Sequence, residues 1–120
     1  MKIAREMVSA TRHAGAFIRV CHRQVETSGI DMGGDLWFES QHAFWLADTL
    51  RACIDSWTCP LRELRSSGDH LRVFESGHER QPVISLRNRR DPAVTHGGLY
   101  VLTMSPPIAA QLARSLDALA

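Results

Sequence analysis

Leu36-Trp37-Phe38-Glu39-Ser40-Gln41-His42-Ala43-Phe44-Trp45-Leu46-Ala47-Asp48-Thr49-Leu50 decides the reading of this chain. It opens on an apolar, aromatic run of the kind that forms a strand. Ser40 is a good helix N-cap. Beyond it, Ala43, Leu46, Ala47, Leu50, Cys53, Ile54 and Trp57 gather on one stripe when each residue is turned by about 100°. The spacing predicts a helix over residues 41–57. The same sequence of events recurs near the carboxyl end. There Leu102-Thr103-Met104 is followed by Ser105, then by Pro106 at the first helical position, where a missing N–H costs nothing. Ala109, Leu112, Ala113, Leu116 and Leu119 form the second stripe, which predicts a helix over residues 106–119.

The two halves of the chain can be laid over one another at a single constant offset. Ile18 meets Ile84, Arg23 meets Arg89, Leu36 meets Leu102 and Ala43 meets Ala109. Leu46, Ala47, Leu50 and Ala52 meet Leu112, Ala113, Leu116 and Ala118. Between Gly and Pro punctuation, residues 16–23, 34–39, 70–75, 83–87 and 99–103 read as strands. Residues 7–11 read as a further strand, although Ile3, Met7 and Ala10 also fit helical spacing. The expectation is an α+β fold: a duplicated β-β-β-α unit forming a mainly antiparallel sheet with two helices packed on one face. Residues 1–56 are the first half, 57–69 the connector and 70–120 the second half of a single domain.

A chain of 120 residues suits one core. Hydrophobic residues make up 44% and charged residues 22%, which excludes wholesale disorder. No apolar run approaches the ~20 residues of a membrane-spanning helix, and no secretory leader is evident at the start. Cys21, Cys53 and Cys59 cannot all pair, and a reducing cytoplasm is the natural setting.

Catalytic and metal motifs are lacking. The closest cysteines are Cys53 and Cys59, and Cys53 sits on an apolar stripe, where it reads as a small core residue. Gly33-Gly34 and Gly97-Gly98 precede strands, so they read as turn glycines and not as phosphate cradles. Nothing pairs two carboxylates or builds a nucleophile. The expectation is a non-enzymatic protein without metal or cofactor.

Binding surfaces are better marked. Arginine makes up nearly all of the 14 basic residues, although the formal net charge is only +1. Arg87, Arg89 and Arg90 close one predicted strand, and Arg19 and Arg23 lie at the equivalent place in the first half. Trp37 and Tyr100 sit on equivalent strands as stacking platforms. Arginine beside exposed aromatics is how single-stranded nucleic acids are commonly held. Phe44 and Trp45 fall outside the stripe on the first helix, each turned well away from the side that carries Leu46 and Leu50. Two large aromatics there suggest an interface, and a homodimer is the commonest way to cover one. Two functions compete: a nucleic-acid-binding module, and a protein-interaction module acting as a small regulator or inhibitor. In topology the repeated sheet-plus-helix order resembles the Whirly-like and PUR-repeat proteins, whose units carry four strands and a following helix. That resemblance implies affinity for single-stranded nucleic acid.

Overall fold

Period-two burial settles the amino-terminal stretch that helical spacing left open. Val8 and Ala10 pack against the core, while Met7, Ser9 and Thr11 face solvent. That alternation is what a strand produces. The structure, a computed structural model, describes residues 3–13, 16–56, 61–66, 68–78, 81–88 and 100–119.

Strands β1 (Ile3–His13), β2 (Phe17–Glu26) and β3 (Asp31–Glu39) form an antiparallel sheet in that order. A tight turn joins β2 to β3. Gly29 has φ +91° there, and its N–H donates to the Glu26 carbonyl at 2.9 Å. A 3₁₀ turn at Ser40–His42 leads into α1 (Ala43–Ser56). No side chain caps this turn; the Ser40 carbonyl accepts from the Ala43 N–H instead. Helix α1 therefore begins later than the sequence suggested, at Ala43 and not at Gln41.

The second sheet runs β4 (Arg62–Arg65), β5 (His70–His78), β6 (Gln81–Asn88) and β7 (Tyr100–Met104), again antiparallel throughout. Helix α2 (Pro106–Leu119) follows. The fold is α+β, with two antiparallel sheets and two helices. Strand β4 lies in the stretch expected to be only a connector, and it pairs with β5 from Arg62 opposite Val73 to Arg65 opposite His70.

Order and burial agree with a repeated unit. Positions related by the sequence offset are equivalent in the core: Ile18 and Ile84, Leu36 and Leu102, Ala43 and Ala109, Leu46 and Leu112, and Leu50 and Leu116 are all buried. Both helical stripes meet in one core cluster drawn from both halves. The helices do not simply cover their own sheets. Helix α1 follows the first sheet but packs toward β5, and α2 follows the second sheet but packs mainly on β1, with a smaller contact to β6 of its own sheet. The two helices pack on each other, and α2 reaches strands of both halves.

The sheets meet along β3 and β7, which lie side by side without a shared ladder. Gly33 and Gly34 are inside β3 and not in a turn. A Cβ on Gly34 would lie 3.1 Å from Leu102 Cδ2, and one on Gly33 only 2.8 Å from the His22 carbonyl. The glycines serve close approach, which explains their place in a strand. Side chains bridge the seam: Asn88 Nδ2 donates to the Trp37 carbonyl at 2.7 Å, and Gln24 Nε2 to the Thr103 carbonyl at 3.5 Å.

Two polar clusters lock the halves together. Asp69, fully buried, accepts from the Glu39 N–H at 2.8 Å, His42 Nδ1 at 2.9 Å and Asn88 Nδ2 at 3.2 Å. Glu6 sits at the start of α2, where an anion offsets the helix dipole. It accepts from Ser105 Oγ at 2.5 Å, and from His22 Nε2 and Gln24 Nε2 at 2.8 Å each.

Candidate nucleic-acid interface

With the helices on one side, each sheet leaves an outer face, and pairing register says which residues share it. On the first sheet that face carries Thr11, Arg19 and Trp37 in one row, then Ser9, Cys21 and Asp35, then Met7, Arg23 and Gly33. Arg19, Arg23 and Trp37 are thus brought together, as the sequence suggested. Each arginine already has a carboxylate partner, although Arg19 Nε is buried without a hydrogen-bond partner. Arg19 Nη2 bonds Asp35 Oδ2 at 2.5 Å, and Arg23 reaches across Gly33 to Asp31 Oδ2 at 2.6 Å.

Trp37 is not an open stacking platform. It is only 8% exposed. The Arg19 guanidinium lies 5.4 Å over its ring, and His13 meets it edge-on with centroids 4.4 Å apart. Beside it, Cys21 Sγ donates to Asp35 Oδ1 at 2.8 Å. That bond, aided by burial and the aspartate's charge, pushes the Cys21 thiol above its usual range. Burial would raise the Asp35 carboxyl as well, but bonds from Cys21 and Arg19 outweigh it and hold the group low.

The second sheet is arranged differently. Its outer face carries Glu63, Arg72, Arg87 and Val101 in one row, with Arg65 and His70 on one side and Phe74, Ser85 and Thr103 on the other. Arg72 and Arg87 stand directly opposite one another. Glu63 lies 3.6 Å from Arg72 Nε and 3.5 Å from Arg65 Nε. Its carboxyl, which burial would raise, is held low by a bond from His70 and by the arginines. Among the described residues no carboxylate pairs with Arg87, and its Nε is buried without a hydrogen-bond partner. Like charges directly opposite across a ladder are unfavourable unless something offsets them. Three arginines against one glutamate leave this face at a formal +2, since Arg65, Arg72 and Arg87 count +3 and Glu63 counts −1.

Sequence reasoning placed Arg87 in the site but missed Arg72. The signal was available, because Arg72 alternates with the buried Leu71 and Val73 and so had to face outward. Arg89 and Arg90 lie outside the described residues. Tyr100 begins β7 opposite Asn88. On α1, Phe44 is 61% exposed, whereas its neighbour Trp45 packs against the core. The two do not form one apolar patch.

A shallow cleft of about 190 Å³ opens at the seam, lined by His22, Gln24, Met32, Gly33, Gly34 and the strand 101–103. Elsewhere, Glu39, His42 and Asp69 bring possible ligand atoms within 4.8 Å of one another. That cluster is a hydrogen-bond knot. Asp69 Oδ2 accepts both the Glu39 N–H and His42 Nδ1.

Compared with known proteins, the chain matches no protein-family model and no curated protein sequence.

Proposed function

We propose that this is a small non-enzymatic protein that binds single-stranded nucleic acid through the outer face of its second sheet. One observation carries the reading: the opposed pair Arg72 and Arg87, with no carboxylate on Arg87 among the described residues. A phosphate bridging the two guanidinium groups would relieve their repulsion. Phe74, half-buried in the next row, lies where a base can stack. The first sheet is the weaker surface, because its own aspartates neutralise Arg19 and Arg23. An intracellular role belongs to the same proposal, although a disulfide such as the one at Cys53 is unusual in a reducing cytosol.

Anisotropy of a labelled oligothymidylate at several salt concentrations tests this. Each phosphate neutralised contributes about 0.7 to the slope of log affinity against log salt. Arg72→Ala and Arg87→Ala should each flatten the slope by about that amount, and Arg19→Ala should leave it unchanged. Absence of binding at about 50 mM salt, where such contacts are strong, would refute the proposal. A second reading, docking of a protein partner on α1, is favoured by the exposure of Phe44 and takes over on that outcome.

A further inference from the structure

Between β3 and β7 the two sheets leave a ladder unmade. The Ser40 N–H donates to the Ala16 carbonyl and the Glu26 N–H to that of Ile30, each at 2.9 Å. Every second residue of an antiparallel strand bonds the same neighbour, so Met32, Gly34, Leu36 and Phe38 turn their main-chain groups to β2. Gly33, Asp35, Trp37 and Glu39 turn theirs to the seam. The Trp37 carbonyl and the Glu39 N–H are met there, by Asn88 and Asp69. On β7 the Thr103 carbonyl faces the same gap, where Gln24 Nε2 reaches it from the first sheet. Val101, two residues away, points likewise. Among the described residues nothing bonds the seam-facing main chain of Gly33 or Val101, or the Thr103 N–H.

These groups border the cleft of about 190 Å³, with Gly33 on one wall and Val101 and Thr103 on the other. His22 lines it too, at 5% exposure. Its Nε2 is held by Glu6 at 2.8 Å, and among the described residues its other ring nitrogen makes no bond. None of the residues lining the cleft is an Asp, Glu, Lys or Arg. An anion would meet the carbonyls and a cation the N–H groups, whereas an uncharged molecule with both a donor and an acceptor satisfies each. A cavity of about 150 Å³ holds benzene, so the space suits one six-membered ring.

We propose that the seam is a binding site for a small uncharged lactam, a ring whose edge sets an N–H beside a C=O. The N–H and C=O of a single strand residue, Gly33 or Val101, face the same way and complement that edge. The site is distinct from the arginines of the outer face and uses none of them.

Uracil is the probe, and 1,3-dimethyluracil, which keeps both carbonyls but has lost both N–H groups, is the control. Titration to about 10 mM, followed by amide NMR, suits so small a ligand. Uracil should shift the amides of Gly33, Val101 and Thr103 and leave those of Arg19 and Arg72 in place. The dimethylated ring should bind at least about tenfold more weakly, because it leaves main-chain acceptors unmatched. Val101→Pro removes a seam-facing N–H and no bond to β6, at a position where a strand edge tolerates proline. It should weaken uracil at least about tenfold with the circular dichroism of the wild type retained. If proline unfolds β7, the comparison of the two rings on the wild type still decides. No shift at Gly33, Val101 and Thr103 overturns the proposal, as does equal binding of the dimethylated ring or a folded Val101→Pro protein that binds uracil as before. So does exchange of the Gly33 and Val101 amides as slow as that of ladder amides in the free protein, since β3 and β7 would then be paired and the seam shut.

Discussion

Asp69→Ala should be among the most damaging single substitutions in this protein. The carboxylate is 0% exposed and holds donors from both halves: the Glu39 N–H, His42 Nδ1 and Asn88 Nδ2. Hydrogen bonds to a charged group contribute about 1.5–3 kcal/mol each, but burying the carboxylate itself costs several kcal/mol. The net loss on truncation, with those donors left facing a void, is about 3–5 kcal/mol. For a domain of this size that lowers Tm by roughly 10–20 °C. Asp69→Asn should cost nearly as much, because its amide cannot accept from Glu39 and His42 while serving Asn88. Urea unfolding followed by tryptophan fluorescence measures the change. Asp31→Ala is the control, since it breaks an ion pair whose side chains are 54% and 46% exposed and should cost less than about 1 kcal/mol. A loss below about 1 kcal/mol for Asp69→Ala as well would show that this knot does not hold the halves together.

Glu6 should set part of the acid sensitivity. Burial would raise its carboxyl, but bonds from Ser105, Gln24 and His22 hold it below the ordinary 4.5. A lowered folded-state value means stability that is present above 4.5 and lost as pH falls through the folded value. Glu6→Gln should thus be less stable at neutral pH and show a shallower decline on acidification in urea titrations. Gly33→Ala should destabilise by about 1–3 kcal/mol in the same assay, since its Cβ would lie 2.7 Å from Arg23 Cδ and 2.8 Å from a backbone oxygen. Cys21 should react slowly with a disulfide reagent near pH 7, and Asp35→Asn should speed it by removing the charge and bond that raise the thiol. Denatured without reductant, the protein should titrate one thiol and not three, because Cys53 is in a disulfide.

Local patterning was enough to determine most of the elements, though not β4. Period two in 16–23 and 34–39 and the Leu–Ala stripes after Ser40 and Ser105 are set by which side chains must leave water. The structure returns the second helix at Pro106–Leu119 and buries the repeated positions alike. Short range failed where a neighbour from elsewhere in the chain decides. Gly33-Gly34 read as a turn because nothing local announces that Leu102 and Arg23 will crowd them. Ser40 read as a cap from residue preference alone, whereas it lies inside the 3₁₀ turn and the buried Asp69, far along the chain, takes the Glu39 N–H just before it.

Charge and exposure belong to tertiary structure for the same reason. The sequence could name Arg19, Arg23 and Trp37, but Asp35 and Asp31 reach the arginines only through strand register, and Trp37 is covered only when β1 brings His13 to it. Register likewise set Arg72 against Arg87, two residues that no sequence motif joins. The reach of α2 to strands of both halves was equally invisible, since an apolar stripe specifies that it must be covered and not by what. Composition and periodicity fixed what each segment had to bury; long-range packing decided which charges were left to bind.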